Sequence, residues 1–164
     1  EIFTQLTGRD DAALLESLVD MFKLKYDADG YKATIIYPGV PELLRELKHK
    51  NTPIYIATNK RLKPTRLILE HLRWSGTFKG VYTLDCVEPA HLNKKMMLAE
   101  ALRDIDDNPQ YIAYVGDKQD DGDAADANFL HFFKASWGYG ARDVGRTEQG
   151  SFFLQQPQDL LAAL

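Results

Sequence analysis

Short apolar runs alternate with amphipathic helical patterns along most of the sequence, and this alternation restricts the fold more than any other feature. Each run is bounded by turn residues and is typical of a strand buried on both faces. The runs are residues 53–58, 80–84, 111–115 and 130–135. Helical patterns occupy residues 63–73, 93–103 and 158–164, and another begins at Pro41. This order predicts an α/β fold with right-handed crossovers and a mainly parallel sheet.

An acidic segment follows the run that ends at Val115. Gly116 is the stop signal, and a helical pattern opens at Ala124. The carboxylates between them are Asp117, Asp120, Asp121 and Asp123. Clustered carboxylates repel one another, so they need a compensating cation or exposure to water. Oxygen ligands at a strand end suit Mg²⁺, which is commonly held by one or two carboxylates with waters completing its shell. A solvated acidic loop is the alternative interpretation.

Polar side chains also stand at equivalent places after other strands. Thr58 and Asn59 end the run at 53–58, and Lys94 lies at the start of a helix after a third strand. Because all strands of a parallel sheet end at one edge, these groups are expected to converge with the acidic segment. A hydroxyl, an ammonium and a metal held by carboxylates would together bind a phosphoryl group.

The first part of the chain has a different character. Residues 9–27 have apolar positions at helical spacing and predict an amphipathic helix. Residues 31–37 are expected to be extended, and the composition changes there. We therefore predict a partial helical domain at 1–33 and an α/β core at 34–164.

Composition excludes several classes of function. The net charge of −4 leaves no basic surface that would indicate nucleic acid. No apolar run approaches the length of a membrane span. The single cysteine, Cys86, cannot form an internal disulfide and suits a reducing compartment, so a cytoplasmic location is expected.

Several motifs in the chain resemble those of the haloacid dehalogenase (HAD) superfamily, and in particular its phosphoglycolate-phosphatase-like branch. They are YPGVPELLRELK at 37–48, IATNK at 56–60, LNKKMMLAEAL around Lys94, YVGDKQDDGDAADAN at 114–128 and WGYG at 137–140. The resemblance implies a Rossmann-like core with the remnant of a helical cap. It also implies a Mg²⁺-dependent phosphatase of a small phosphorylated metabolite.

The resemblance assigns roles to individual residues. Thr58 resembles the hydroxyl residue that binds phosphate, with Asn59 beside it. Lys94 resembles the lysine that stabilises phosphoryl charge, although Lys95 is left open as an alternative. The metal-binding carboxylates are matched by Asp117 and Asp121, with Asp120 as a neighbour that does not bind the metal directly.

The family's nucleophile, the first Asp of a DxDGT-like motif that closes the first strand, has no match. The string Asp27-Ala28-Asp29-Gly30 has the spacing, but a helical pattern precedes it and Tyr31 replaces the hydroxyl residue. Since the chain opens at Glu1, we expect the nucleophile upstream and expect this chain alone to be inactive.

A missing first strand also affects the sheet. The runs at 53–58 and 111–115 must then pair directly, leave a gap, or accept another strand. Because open strand edges invite exchange between copies, a homodimer is expected. The alternative function is an inactive member of the fold that binds a ligand or a protein. A receiver-like module is disfavoured, since no phosphoacceptor Asp ends a strand.

Overall fold

The computed structural model describes residues 2–142 and 152–164, and the chain separates into two compact units. The first unit comprises Glu1–Ile35 and Lys63–Ser75, and the second comprises Ile36–Leu62 and Gly76–Leu164. The division predicted from sequence, 1–33 and 34–164, does not separate residues 63–75 from the α/β core. That the first unit is part of a cap stays a prediction.

The first unit is helical. Its elements are α1 (Ile2–Thr7), α2 (Ala12–Ala28), a 3₁₀ turn at Gly30–Ala33, and most of α4 (Leu62–His71). The Asp11 carboxylate caps α2 by accepting from the Leu14 N–H at 3.0 Å. Lys63 of α4 pairs with Asp27 of α2 at 3.5 Å. The helix predicted at 9–27 therefore begins three residues later, because the cap fixes its start.

The described residues of the second unit form five strands, all parallel to their neighbours. β1 (Tyr55–Thr58) pairs with β2 (Gly80–Thr83) in one sheet. β3 (Ala113–Gly116), β4 (His131–Ala135) and β5 (Phe152–Leu154) form the other, in that order. The parallel α/β architecture predicted from the alternation is confirmed, while β5 had not been predicted.

Helices cover both faces of the three-stranded sheet. Successive side chains of a strand point to opposite faces, so Phe132 and Phe133 of β4 enter different cores. Phe133 packs with residues of α3 (Val40–His49), β5 and α7 (Asp159–Ala163). Phe132 packs with residues of α5 (Lys94–Ile105) and α6 (Gln119–Ala127). Burial on both faces explains why this strand reads as a continuous apolar run.

The two sheets do not join through a ladder. Among the described residues, β1 pairs only with β2, and β3 pairs only with β4. The described residues thus leave a gap in hydrogen bonding between β1 and β3, which is one of the three arrangements expected for these strands. Each of these strands therefore has one edge whose backbone N–H and C=O groups make no ladder bonds within the described chain.

Helix α6 begins five residues earlier than predicted. We expected the helix to open at Ala124, but it starts at Gln119, so Asp120 and Asp121 lie in its first turn. The helix dipole favours negative charge there. The Asp121 carboxylate also accepts the Lys118 N–H at 3.0 Å, which satisfies an amide that the helix leaves free. The acidic segment is thus largely a helix start and not a loop.

The extended segment expected at 31–37 is wrong in its first part, since Gly30–Ala33 forms a 3₁₀ turn and the Thr34 N–H donates to the Tyr31 carbonyl.

Within the described ranges, none of the helices has the length and apolarity needed to cross a bilayer.

The second residue after α6 is a strained position. Phe129 has φ of 60° and its side chain is 83% exposed. An L-residue in the left-handed region costs about 1–2 kcal/mol, and glycine avoids this cost while losing some entropy on folding. We expect Phe129→Gly to raise the free energy of unfolding by about 0.5–1 kcal/mol in urea denaturation. Phe129→Ala, which keeps Cβ, is the control and should bring no gain; a loss of stability in Phe129→Gly would contradict the strain.

Candidate functional site

A buried lysine is the centre of the candidate site. Lys94 is the first residue of α5, and Asn93 caps this helix by accepting the Met96 N–H at 3.0 Å. The Lys94 side chain is only 7% exposed. Its ammonium donates to Asp121 Oδ1 and forms an ion pair with Asp120 Oδ2 at 3.1 Å. Lys95 is exposed, so the structure directs Lys94, and not the alternative, to the acidic segment.

Both carboxylate oxygens of Asp121 accept hydrogen bonds. Its Oδ2 accepts the backbone N–H groups of Asp117 and Lys118 at 3.1 and 3.0 Å. The Tyr114 hydroxyl donates to Oδ1 at 3.2 Å, alongside the Lys94 ammonium. A Cβ on Gly116 would lie 2.4 Å from the Asp121 Cβ, so only glycine permits this close approach between β3 and α6.

Asn59 connects the end of β1 to this cluster. Its Nδ2 donates to Asp120 Oδ2 at 3.2 Å, across 61 positions of the sequence. The carboxyl ends of β1 and β3 are therefore linked by side chains although their ladders are separate. As predicted for a parallel sheet, polar groups from distant parts of the chain meet at one edge.

The side chains of Thr58 and Asp117 lie beside the network, which Asp117 joins only through its backbone N–H. Thr58 ends β1, and its Oγ1 accepts the Lys60 N–H at 3.2 Å, which leaves the hydroxyl hydrogen for another acceptor. Asp117 follows β3, and its Oδ2 accepts the Gly140 N–H at 2.7 Å. The structure thus ties Asn59, Lys94, Asp120 and Asp121 together, with Thr58 and Asp117 adjacent in the chain.

The pKa values follow from burial and charge. Burial opposes the charged form of Lys94, but the hydrogen bond and charge of Asp121 outweigh it, so the pKa of the ammonium lies above its ordinary value. Burial opposes the Asp120 anion too, yet Lys94 and Asn59 hold the pKa of that carboxyl below its ordinary value. Burial, and then the Asp121 charge, raise the pKa of Tyr114. Lys94 and Asp120 are therefore charged at neutral pH, and Tyr114 is a neutral donor.

A divalent cation has a restricted choice of ligands here. In residues 2–142 and 152–164, no group of three or more His, Cys, Asp or Glu side chains is arranged to hold a metal. Both Asp121 oxygens already accept hydrogen bonds. Asp117 has one engaged oxygen, and its Oδ1 has no hydrogen bond among the described contacts. The donor set fits Mg²⁺ bound through one carboxylate, since this ion keeps several waters.

Sequence reasoning missed part of the site. In the sequence, Tyr114 is one position of an apolar run, and such a run does not show where its hydroxyl lies. The WGYG segment resembles a family motif, yet its contribution to the site is its close packing. A Cβ on Gly138 would lie 2.2 Å from the Asp117 Cβ, and a Cβ on Gly140 would lie 2.6 Å from the Asp117 carbonyl oxygen. The only sequence signal for this packing would be the two glycines, Gly138 and Gly140, in a loop that lies close to the loop of Asp117.

Comparison with known proteins places this arrangement in a family. The family model described as haloacid dehalogenase-like hydrolase matches residues 1–134. The chain belongs to the haloacid dehalogenase-like hydrolase family. A haloacid dehalogenase-like family hydrolase from Streptococcus pneumoniae has a similar structure, with a TM-score of 0.82 at 21% identity, covering 98% of this chain and 74% of that one. The Rossmann-like haloacid dehalogenase core is thereby confirmed.

Curated relatives of this haloacid dehalogenase-like chain have different names. The tyrosine-protein kinase PtkA of Mycobacterium tuberculosis is 27% identical over 128 residues, which cover 78% of this chain and 44% of that protein. A phosphoglycolate phosphatase of Cereibacter sphaeroides is 31% identical over 125 residues, which cover 73% and 54%. The chain spans about half the length of these relatives.

The two adjacent lysines allow a direct test of the network. Lys94→Met leaves the buried Asp121 carboxylate without its cation, and breaking a buried pair in this way costs about 3–5 kcal/mol. We expect a loss of that order in the free energy of unfolding, measured by urea denaturation. Lys95→Met is the matched control, because the neighbouring lysine is exposed, and its effect should stay within about 0.5 kcal/mol. Equal losses in the two variants would contradict the assignment.

Proposed function

We propose that this chain provides the phosphate-binding and metal-binding groups of a Mg²⁺-dependent, phosphoglycolate-phosphatase-like phosphomonoesterase that acts on a small phosphorylated metabolite. The observation that carries the proposal is the buried Lys94 ammonium, held between two carboxylates at the edge where β1 ends. A preorganised cation in a partly desolvated place stabilises charge on a phosphoryl oxygen better than a mobile surface lysine. Family membership and the phosphoglycolate phosphatase relative support the reaction class.

The end of β1 supplies hydrogen-bond donors for the phosphate. The Thr58 oxygen is fixed by the Lys60 N–H, so its hydroxyl hydrogen is directed away from that bond and can donate to a phosphate oxygen. Asn59 holds its place through Asp120. In this proposal Thr58 and Asn59 orient the phosphate, and Lys94 balances its negative charge.

Mg²⁺ would bind at Asp117, through the carboxylate oxygen that does not accept the Gly140 N–H. Asp121, whose oxygens accept four hydrogen bonds in this structure, would reach the ion through water while it fixes Lys94. When bound, the ion would neutralise charge on the phosphate and polarise it for attack. Asp120 would act on the site through Lys94 and Asn59.

The attacking group is proposed to come from residues upstream of this chain. Asp27 lies in α2 and pairs with Lys63, so it does not follow a strand. In the described part of the chain, β1 and β3 each have an edge without a strand partner, which favours a strand between them. An aspartate at the carboxyl end of that strand would emerge beside the Asn59–Asp120 hydrogen bond. Such a nucleophile would attack the phosphorus and break its bond to the metabolite oxygen, which would leave as a protonated hydroxyl group. Water would then hydrolyse the aspartyl-phosphate to the free carboxylate and inorganic phosphate.

The absence of that group among the described residues favours one alternative. A chain that keeps Lys94 and its partners but lacks the nucleophile would bind a phosphorylated ligand or a protein without hydrolysis. The two functions share the phosphate-binding groups and differ in turnover, so an activity measurement on more than one length of chain separates them.

Hydrolysis of p-nitrophenyl phosphate is the test, with and without Mg²⁺. We expect no turnover by the 164-residue chain and Mg²⁺-dependent turnover by a version extended upstream to its native start. Absence of turnover in both versions would favour the inactive alternative. Turnover by the 164-residue chain alone would show that its own residues include the nucleophile.

Asp117→Asn tests the metal site separately. Replacing one oxygen of the carboxylate by NH₂ and removing its charge is expected to abolish Mg²⁺-dependent binding of inorganic phosphate, measured by isothermal titration calorimetry. Asp126→Asn is the matched control, because it makes the same change at an exposed position of α6. A Mg²⁺ titration that is unchanged in Asp117→Asn would remove this residue from the site.

A further inference from the structure

An aspartate outside the network described above holds the turn that follows β1. Asp85 lies two residues after the end of β2. Its Oδ1 accepts the Leu62 N–H at 2.8 Å and the Thr83 hydroxyl at 2.7 Å. Leu62 is the first residue of α4, so one carboxylate oxygen joins the end of one strand to the beginning of the helix after another.

The turn in question runs from Thr58 to Leu62, and it is tied at both ends. At its start, the Lys60 N–H donates to the Thr58 hydroxyl oxygen at 3.2 Å. At its end, the Leu62 N–H donates to Asp85. Thr58 and Thr83 are register partners in the parallel ladder of β1 and β2, so the two strand ends lie side by side.

The anchor of Asp85 is itself rigid. Thr83 is fully buried, and its hydroxyl uses Asp85 Oδ1 as its acceptor. A buried hydroxyl without a partner is costly, so this hydrogen bond fixes where the Asp85 carboxylate stands. The carboxylate can then hold the Leu62 amide without being buried itself.

We propose that Asp85 is a positioning residue, which fixes the turn at Thr58–Leu62 so that Thr58 and Asn59 are preorganised for a phosphate. This inference rests on the proposed function. Asp85 does not touch the phosphate; it acts through the backbone of the turn. Ordering a binding loop before the ligand arrives removes an entropy cost from binding, so its loss weakens affinity without removing a contact.

A simple helix cap would give a different result. Asp85 accepts an N–H at the start of α4, and any residue that does so stabilises its helix. Asp11 makes the same type of bond at the start of α2, where its carboxylate accepts the Leu14 N–H at 3.0 Å. Asp11→Ala therefore loses a cap as Asp85→Ala does, but in a helix that carries no proposed phosphate ligand.

The test is a titration of the 164-residue chain with inorganic phosphate in the presence of Mg²⁺, in which ¹⁵N NMR monitors the chemical shifts of the backbone amides. We expect Asp85→Ala to weaken phosphate binding about fivefold or more, which corresponds to the loss of one well-placed hydrogen bond. Asp85→Asn keeps an acceptor oxygen and should bind within about twofold of the wild type. Asp11→Ala should also bind within about twofold of the wild type, although it loses stability in urea like Asp85→Ala.

Equal phosphate affinity in the wild type and Asp85→Ala would overturn the positioning role. If phosphate does not change the amide chemical shifts of the wild type, the proposed function fails. The positioning role is then judged by ¹⁵N relaxation of the amides at Asn59, Lys60 and Arg61. Increased mobility of these amides in Asp85→Ala, but not in Asp11→Ala, supports the positioning role of Asp85, and unchanged mobility overturns it.

Discussion

The contact between the Lys94 ammonium and the Asp121 carboxylate organises the second unit around its carboxyl edge. Each partner would be costly to bury alone, because removing a charge from water is expensive unless an opposite charge and hydrogen bonds replace the water. Here Asp121 receives two backbone amides and the Tyr114 hydroxyl in addition to Lys94. The pair therefore fixes the positions of the starts of α5 and α6 relative to the end of β3.

The close packing around this pair depends on glycine. Gly116 lets Asp121 approach the end of β3, and Gly138 with Gly140 lets a second loop press against Asp117. The same loop provides the Gly140 N–H that orients the Asp117 carboxylate. A larger side chain at Gly116 or Gly138 would displace the carboxylate of Asp121 or Asp117, and one at Gly140 would displace the backbone after β3.

The sequence predicted the parts of the fold that repeat a simple pattern. Strand β4 was predictable because burial on both faces produces the apolar run around Phe132 and Phe133, and β1 to β3 carry apolar runs although most of their residues are only partly buried. The short strand β5 was missed, since three residues carry too little periodicity. The start of α6 was also misplaced, because Asp and Gly have low intrinsic helix propensity and only the dipole and the cap make them helical there.

The candidate site was predictable at the level of residue types and not of partners. The meeting of Asn59 with the acidic segment followed from the common edge of a parallel sheet. To choose Lys94 over Lys95, one must know which of them lies on the buried face of α5. An error of one residue in that face would exchange the two assignments. Asp85 carried no signal, because its partners are a backbone amide and a hydroxyl that only the fold brings together.

The separation of β1 from β3 has a consequence for handling the isolated chain. Two strand edges that make no ladder bonds to other described residues can recruit extended segments from other molecules. The chain should therefore aggregate more as its concentration rises, and a short peptide of high β-propensity that pairs with these edges should reduce aggregation.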